Sequence, residues 1–116
     1  MNLSQQNGTL SVTGLRELNS ANARAFRSTL AAALSRDLQT IEIDLSQTQT
    51  VDSAGLGALV SLHKAANEQR NRDAVTIRLA NPTPSVQQMI ELARLHHLFE
   101  IAPPGGTPGA AQPWST

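Results

Sequence analysis

In the stretch IEIDLS, Ile41, Ile43 and Leu45 alternate with Glu42, Asp44 and Ser46. That two-residue period predicts a strand with one buried and one wet face. VTIRLA repeats it with Val75, Ile77 and Leu79. Near the start, Asn7-Gly8 separates two short segments and favours the positive φ angles of a tight hairpin turn. The period then changes to helical. NSANARAFRSTLAAALSRD offers Asn19 or Ser20 as N-cap and spaces Ala23, Phe26, Leu30, Ala33 and Leu34 along one face. A second helix is predicted from Ser53, with Leu56, Leu59, Val60 and His63 inward. A third lies in TPSVQQMIELARL, with a proline just inside its start and Ser85 and Gln88 at capping-box spacing. Its inward residues are Val86, Met89, Ile90 and Ala93, and HLFEIA is the last apolar piece.

The order hairpin, helix, strand, helix, strand, helix is rich in βαβ units, which implies parallel pairing and right-handed crossovers. A sheet covered on both faces would need continuous apolar strands, and these alternate. The expected fold is therefore α/β, a mixed sheet with an N-terminal hairpin and helices mainly on one face. The other face is left to solvent or a partner, with Arg78 available to pair across strands with the acids at 42 and 44. From Pro103 onward PPGGTPGAAQPWST is rich in proline and glycine, so residues 1–102 form the expected domain and 103–116 a disordered tail carrying Trp114.

Composition narrows the functional classes. The chain has 116 residues, enough for one core, with 40% hydrophobic and 16% charged residues. Nine basic residues balance nine acidic ones, and no basic stripe stands ready for a run of phosphates, which argues against nucleic acid. Without cysteine there is neither disulfide nor thiolate chemistry. The N-terminus lacks a signal-peptide pattern and no run reaches membrane-spanning length, so a cytoplasmic location is expected.

The most informative stretch is TVDSAGLGALV, residues 50–60. It puts an acid, a serine and two glycines where a strand hands over to a helix. Asp52 or Ser53 suits capping, since a side-chain oxygen there accepts from a free N–H and complements the helix dipole. Capping leaves Gly55 and Gly57 unexplained, because glycine in a helix costs about 1 kcal/mol relative to alanine. A first turn without side chains would let another molecule come close, and a phosphate on Ser53 would meet both the helix end and the repulsion of Asp52.

Catalytic readings find less support. His63 lies ten residues along the same helix from Ser53, roughly 15 Å away at 1.5 Å per residue, so it cannot serve as the serine's base. GLGAL lacks the third glycine of a dinucleotide fingerprint, and no P-loop is present. His96 and His97 are adjacent and would point to different faces, and no histidine or cysteine cluster has metal spacing. No enzyme activity, cofactor or metal is expected.

Taken together, IEIDLSQTQTVDSAGLGALVSLHKAA resembles the signature of the STAS family, the domain of bacterial anti-sigma factor antagonists and of sulfate-transporter tails. VTGLRELNSANARAFRSTL is similar to the family's second strand and first helix, and LANPTPSVQQMIELARLHHLFEI to its last strand and closing helical segments. The likeness covers roughly residues 9 to 101. It implies a single-domain switch, monomer or weak dimer, phosphorylated at Ser53. The unphosphorylated form would bind an anti-sigma factor serine kinase of the GHKL type, and a PP2C-type phosphatase would reverse the modification. The implied contact residues are Asn19, Asp52, Ser53, Ala54, Gly55, Leu56, Gly57, Ala58 and Leu62, with burial under a neighbouring helix the alternative for Leu62. One departure stands out: GLRELNSAN places Asn19 where the family's turn usually carries an acid. Other members of the family are unphosphorylated scaffolds or subunits bound to the ATPase of an ABC lipid transporter, and these often carry threonine at the position of Ser53.

Overall fold

The computed structural model describes residues 1–35, 37–68 and 75–102, and the expected tail with Trp114 lies outside them. The chain begins with β1 (Asn2–Gln6) and β2 (Thr9–Thr13), joined at Asn7 and Gly8, whose φ values of 52° and 80° are both positive. The Asn-Gly signal thus produces the expected hairpin, with Gln6 opposite Thr9. Next come β3 (Glu17–Leu18), α1 (Ala23–Ala33), β4 (Thr40–Asp44), β5 (Thr50–Val51) and α2 (Ser53–Glu68). The order closes with β6 (Thr76–Ala80), α3 (Pro84–Leu92), a 3-10 turn (Leu95–His97) and β7 (Glu100–Ala102).

The main sheet has the order β1-β2-β4-β6-β7, antiparallel in the hairpin and parallel thereafter. Each step from β2 to β4 to β6 to β7 moves to the next neighbour in one direction. Right-handed crossovers taken repeatedly in one direction lay α1, α2 and α3 on the same face. That face holds the core: Leu10, Val12, Ile41, Ile43, Ile77 and Leu79 of the sheet meet Phe26 and Leu30 of α1, Leu59 of α2 and Ile90 of α3.

The opposite face carries the polar half of the alternation. Ser4, Ser11, Glu42, Arg78 and Glu100 fall into one row across all five strands. Arg78 pairs with Glu42 at 3.1 Å, as its register allows, and also with Glu100 at 2.7 Å, an acid the sequence pattern did not single out. Those two contacts, Glu100 first, raise the guanidinium's pKa from its ordinary value and keep it charged.

Several helix boundaries differ from the expected ones. The N-cap of α1 is Asn22 rather than Asn19 or Ser20. The side chain of Asn22 turns backward, accepting from the Asn19 N–H at 2.8 Å and donating to the Glu17 carbonyl at 2.7 Å. Thr83, not Ser85, caps α3 by accepting from the Val86 N–H, with Pro84 in the first turn. At the other end of α3, Ala93 is its C-cap and exposed rather than inward. The buried stripe of α2 is Gly55, Ala58, Leu59, Leu62 and Ala66, whereas Leu56, Val60 and His63 are only half-buried. The reason is that α2 packs against α1 as well as the sheet, so the buried sector rotates toward the neighbouring helix. The ring of His63 stands edge-on to Phe99 at a centroid distance of 6.0 Å.

Candidate functional site

The site grows out of a second, smaller sheet. β3 and β5 pair in parallel, Glu17 with Thr50 and Leu18 with Val51. Thr48, fully buried, donates its hydroxyl to the Leu15 carbonyl at 2.5 Å, and the Gln49 N–H donates to the Arg16 carbonyl at 2.9 Å. The stretch between β4 and β5 is thereby stitched to the segment before α1. This draws the turn at residues 19–22 against the start of α2.

Asp52 is the hinge of that junction. One carboxylate oxygen accepts from the Gly55 N–H at 2.9 Å, the N-cap bond of α2, and the other accepts from the Ser20 N–H at 3.2 Å. The Gly55 bond, joined by those from Ser20 and Ala54, holds the carboxyl below its ordinary pKa against an opposing effect of partial desolvation. Capping therefore falls to Asp52, which frees Ser53 from that task. Ser53 is exposed at the first helical position, and its hydroxyl has no hydrogen-bond partner among the described residues.

The two glycines have different explanations. Gly55 is buried, and a Cβ added there would stand 1.9 Å from the carbonyl oxygen of Leu18 and 2.7 Å from its carbonyl carbon. No side chain fits in that space. Gly55 thus opens the helix to its own β3 and not to another molecule, which corrects the expected role of this residue at a contact surface. Gly57 is exposed, and a Cβ there would meet nothing within 4 Å among the described residues. Packing among the described residues gives no reason for it.

Burial also divides the other contact candidates. Ala58 and Leu62 are 1% and 3% exposed and lie within the core, so neither is presented to a partner, and for Leu62 the alternative of burial under a neighbouring helix holds. Ala54 and Leu56 are partly buried against the core and partly accessible. Asn19 is half-buried beside the site: its side-chain oxygen accepts from the Ala21 N–H at 2.9 Å, and its amide donates to the Glu17 carboxylate at 3.0 Å. The amide at position 19 thus holds an acid two residues upstream. Nothing in the hydrophobic pattern marks Glu17, whose place depends on the two-residue strand β3. Among the described residues no group of three His, Asp or Glu side chains converges on a metal position, and no helix is long and apolar enough to cross a membrane.

A mixed sheet with helices on one face and an Asp-Ser turn opening the second helix defines a STAS-type domain. The family model described as "Mlab, STAS domain" matches residues 1–101, and the chain belongs to that family. Comparison with curated proteins finds no match. Among solved structures, a Thermotoga maritima protein assigned as an anti-sigma factor antagonist superposes with a TM-score of 0.76 at 20% identity, over 87% of this chain and 84% of that one. The anti-sigma factor antagonist SpoIIAA in its unphosphorylated form matches with a TM-score of 0.65 at 17% identity, over 86% and 84% of the two chains. Bacillus SpoIIAA in its phosphorylated form gives 0.61 at 19% identity, over 87% and 89%. The murine anion transporter Slc26a9 shares the fold over 86% of this chain and 17% of its own, with a TM-score of 0.71 at 23% identity.

Proposed function

We propose that this protein is a non-enzymatic, cytoplasmic docking switch of the anti-sigma factor antagonist type. In its unphosphorylated form it binds an anti-sigma factor that is a GHKL-type serine kinase. Phosphorylation of Ser53 releases it, and a PP2C-type phosphatase restores it. The observation that carries this reading is the exposed, unbonded hydroxyl of Ser53 beside a carboxylate already engaged in capping. A phosphate there adds about 1.5–2 negative charges. With the Gly55 N–H already held by Asp52, the added charge is poorly compensated and repels any partner surface fitted to a neutral turn. Asp52, Ser53, Ala54, Leu56 and Gly57 supply the contact, with Asn19 at its margin. SpoIIAA, known in both phosphorylated and unphosphorylated forms, supports the analogy at the level of fold.

A second reading, an unphosphorylated STAS subunit of an ABC lipid transporter or a signalling scaffold, draws on the amide at position 19, where the family's turn usually carries an acid. Mass spectrometry of the protein from its own cells, in growth and under stress, separates the two. Phosphate on Ser53 with variable occupancy is expected; its absence in every condition transfers the assignment to the scaffold. Ser53→Ala should fold to within about 0.5 kcal/mol of the parent, because the residue is exposed and does not cap. It should hold the kinase constitutively, whereas Ser53→Asp should weaken that complex. Failure of Ser53→Ala to bind the kinase would count against the switch.

A further inference from the structure

The formal neutrality of the chain conceals a local excess of positive charge on α1. The open sheet face carries Glu42, Asp44 and Glu100 against the single Arg78. On the helical layer, α1 contains Arg24 and Arg27 with no acid, whereas α2 carries Lys64 together with Glu68 at its last position and α3 carries Glu91. Neither Arg24 nor Arg27 has an ion pair among the described residues. Both line a half-open groove of about 260 Å³ between α1 and α2, together with Ser28 and Ala31 on one bank and Ser61, Leu62 and Ala65 on the other.

The composition of that groove limits what fits it. Its floor is apolar at Leu62 and its banks are mostly small residues, so the ridge of another helix can approach closely. Arg24 and Arg27 are three residues apart on one helix, hence neighbours on one face, and match carboxylates placed one turn apart on an incoming helix. Two guanidiniums are too few to hold a nucleic acid backbone by counterion release. We propose that the groove between α1 and α2 is a second docking surface, for an acidic amphipathic helix of a protein partner. Its carboxylates pair with Arg24 and Arg27, and its small apolar residues rest on Ala31 and Ala65. This surface lies along the flank of α2, begins about two turns beyond Ser53 at 1.5 Å per residue, and does not depend on Ser53 being modified.

The test uses the full chain labelled with nitrogen-15 and a synthetic alanine-based helical peptide with glutamates at i, i+3 and i+7 on one face and leucine or alanine on the opposite one. Saturable amide shifts confined to α1 and to residues 58–66 of α2 are expected. Arg24→Glu with Arg27→Glu should weaken the affinity by at least about tenfold, in line with loss of two charged contacts. Both side chains are exposed at the groove rim, so the variant should keep the parent's amide spectrum elsewhere. Ala31→Leu, which fills the groove without altering charge, should weaken binding independently, and phosphorylation of Ser53 should leave it unchanged. The proposal is overturned if no shifts appear, if they map outside the groove, or if the lysine counterpart of the peptide binds equally. It is also overturned if a free fatty acid or vesicles of anionic phospholipid produce the groove shifts while the peptide does not.

Discussion

Gly55 and Gly57 stand two residues apart on one helix turn, yet their surroundings have nothing in common. Around Gly55 the space is filled by the backbone of Leu18, and the missing side chain is a condition of folding. Around Gly57 the space is open among the described residues, and the missing side chain costs helix stability with no return from them. The difference shows that a glycine pair in a functional-looking turn need not share one cause.

Substitution to alanine separates the two sharply. Gly55→Ala drives a Cβ into a carbonyl 1.9 Å away, and neither α2 nor β3 can retreat without breaking the Asp52 N–H contact to the same Leu18 oxygen. A loss of about 3 kcal/mol or more is expected, at the upper end of overpacking costs, read as a large fall in Tm. Gly57→Ala should do the opposite in the free protein and raise stability by about 0.8–1 kcal/mol. The same variant should weaken the kinase complex if a partner surface rests there. A Gly57→Ala protein that is more stable and binds unchanged would remove Gly57 from the interface. Asp52→Asn gives the smallest effect, since an amide oxygen still accepts from the Gly55 N–H. The folded-state pKa of Asp52 is depressed, so its contribution is complete above the ordinary carboxylate pKa and is lost as the pH falls through the lower folded value. The stability gap between parent and Asp52→Asn should therefore narrow on acidification through that window, as a pH series of thermal melts would show.

Much of the fold was legible because its signals are periodic. The alternation in residues 41–45 and 75–79, the Asn-Gly turn and the helical spacing from Ala23 to Leu30 each follow from burying one side of a regular element. Ser53 and Asp52 were legible as a helix start for the same reason. What escaped were features made by only two residues or by contact across the chain. Glu17–Leu18 and Thr50–Val51 are too short to show a period, so neither the small sheet nor the close approach of Leu18 to Gly55 could be anticipated. The phase of the α2 stripe was misread because α2 is apolar beyond one face, and only the position of α1 selects which side is buried. Asn19 was assigned to capping by type, but Asn22 sits one residue before the helix and takes that position.

The crowding at Gly55 also bears on how this turn can drift over evolutionary time. Any descendant that keeps the small β3/β5 sheet must keep a glycine at position 55, whether or not anything docks there. Invariance at 55 across relatives would therefore record the demands of folding. Retention of glycine at 57, where alanine fits and should be more stable, would instead record selection by something outside the chain.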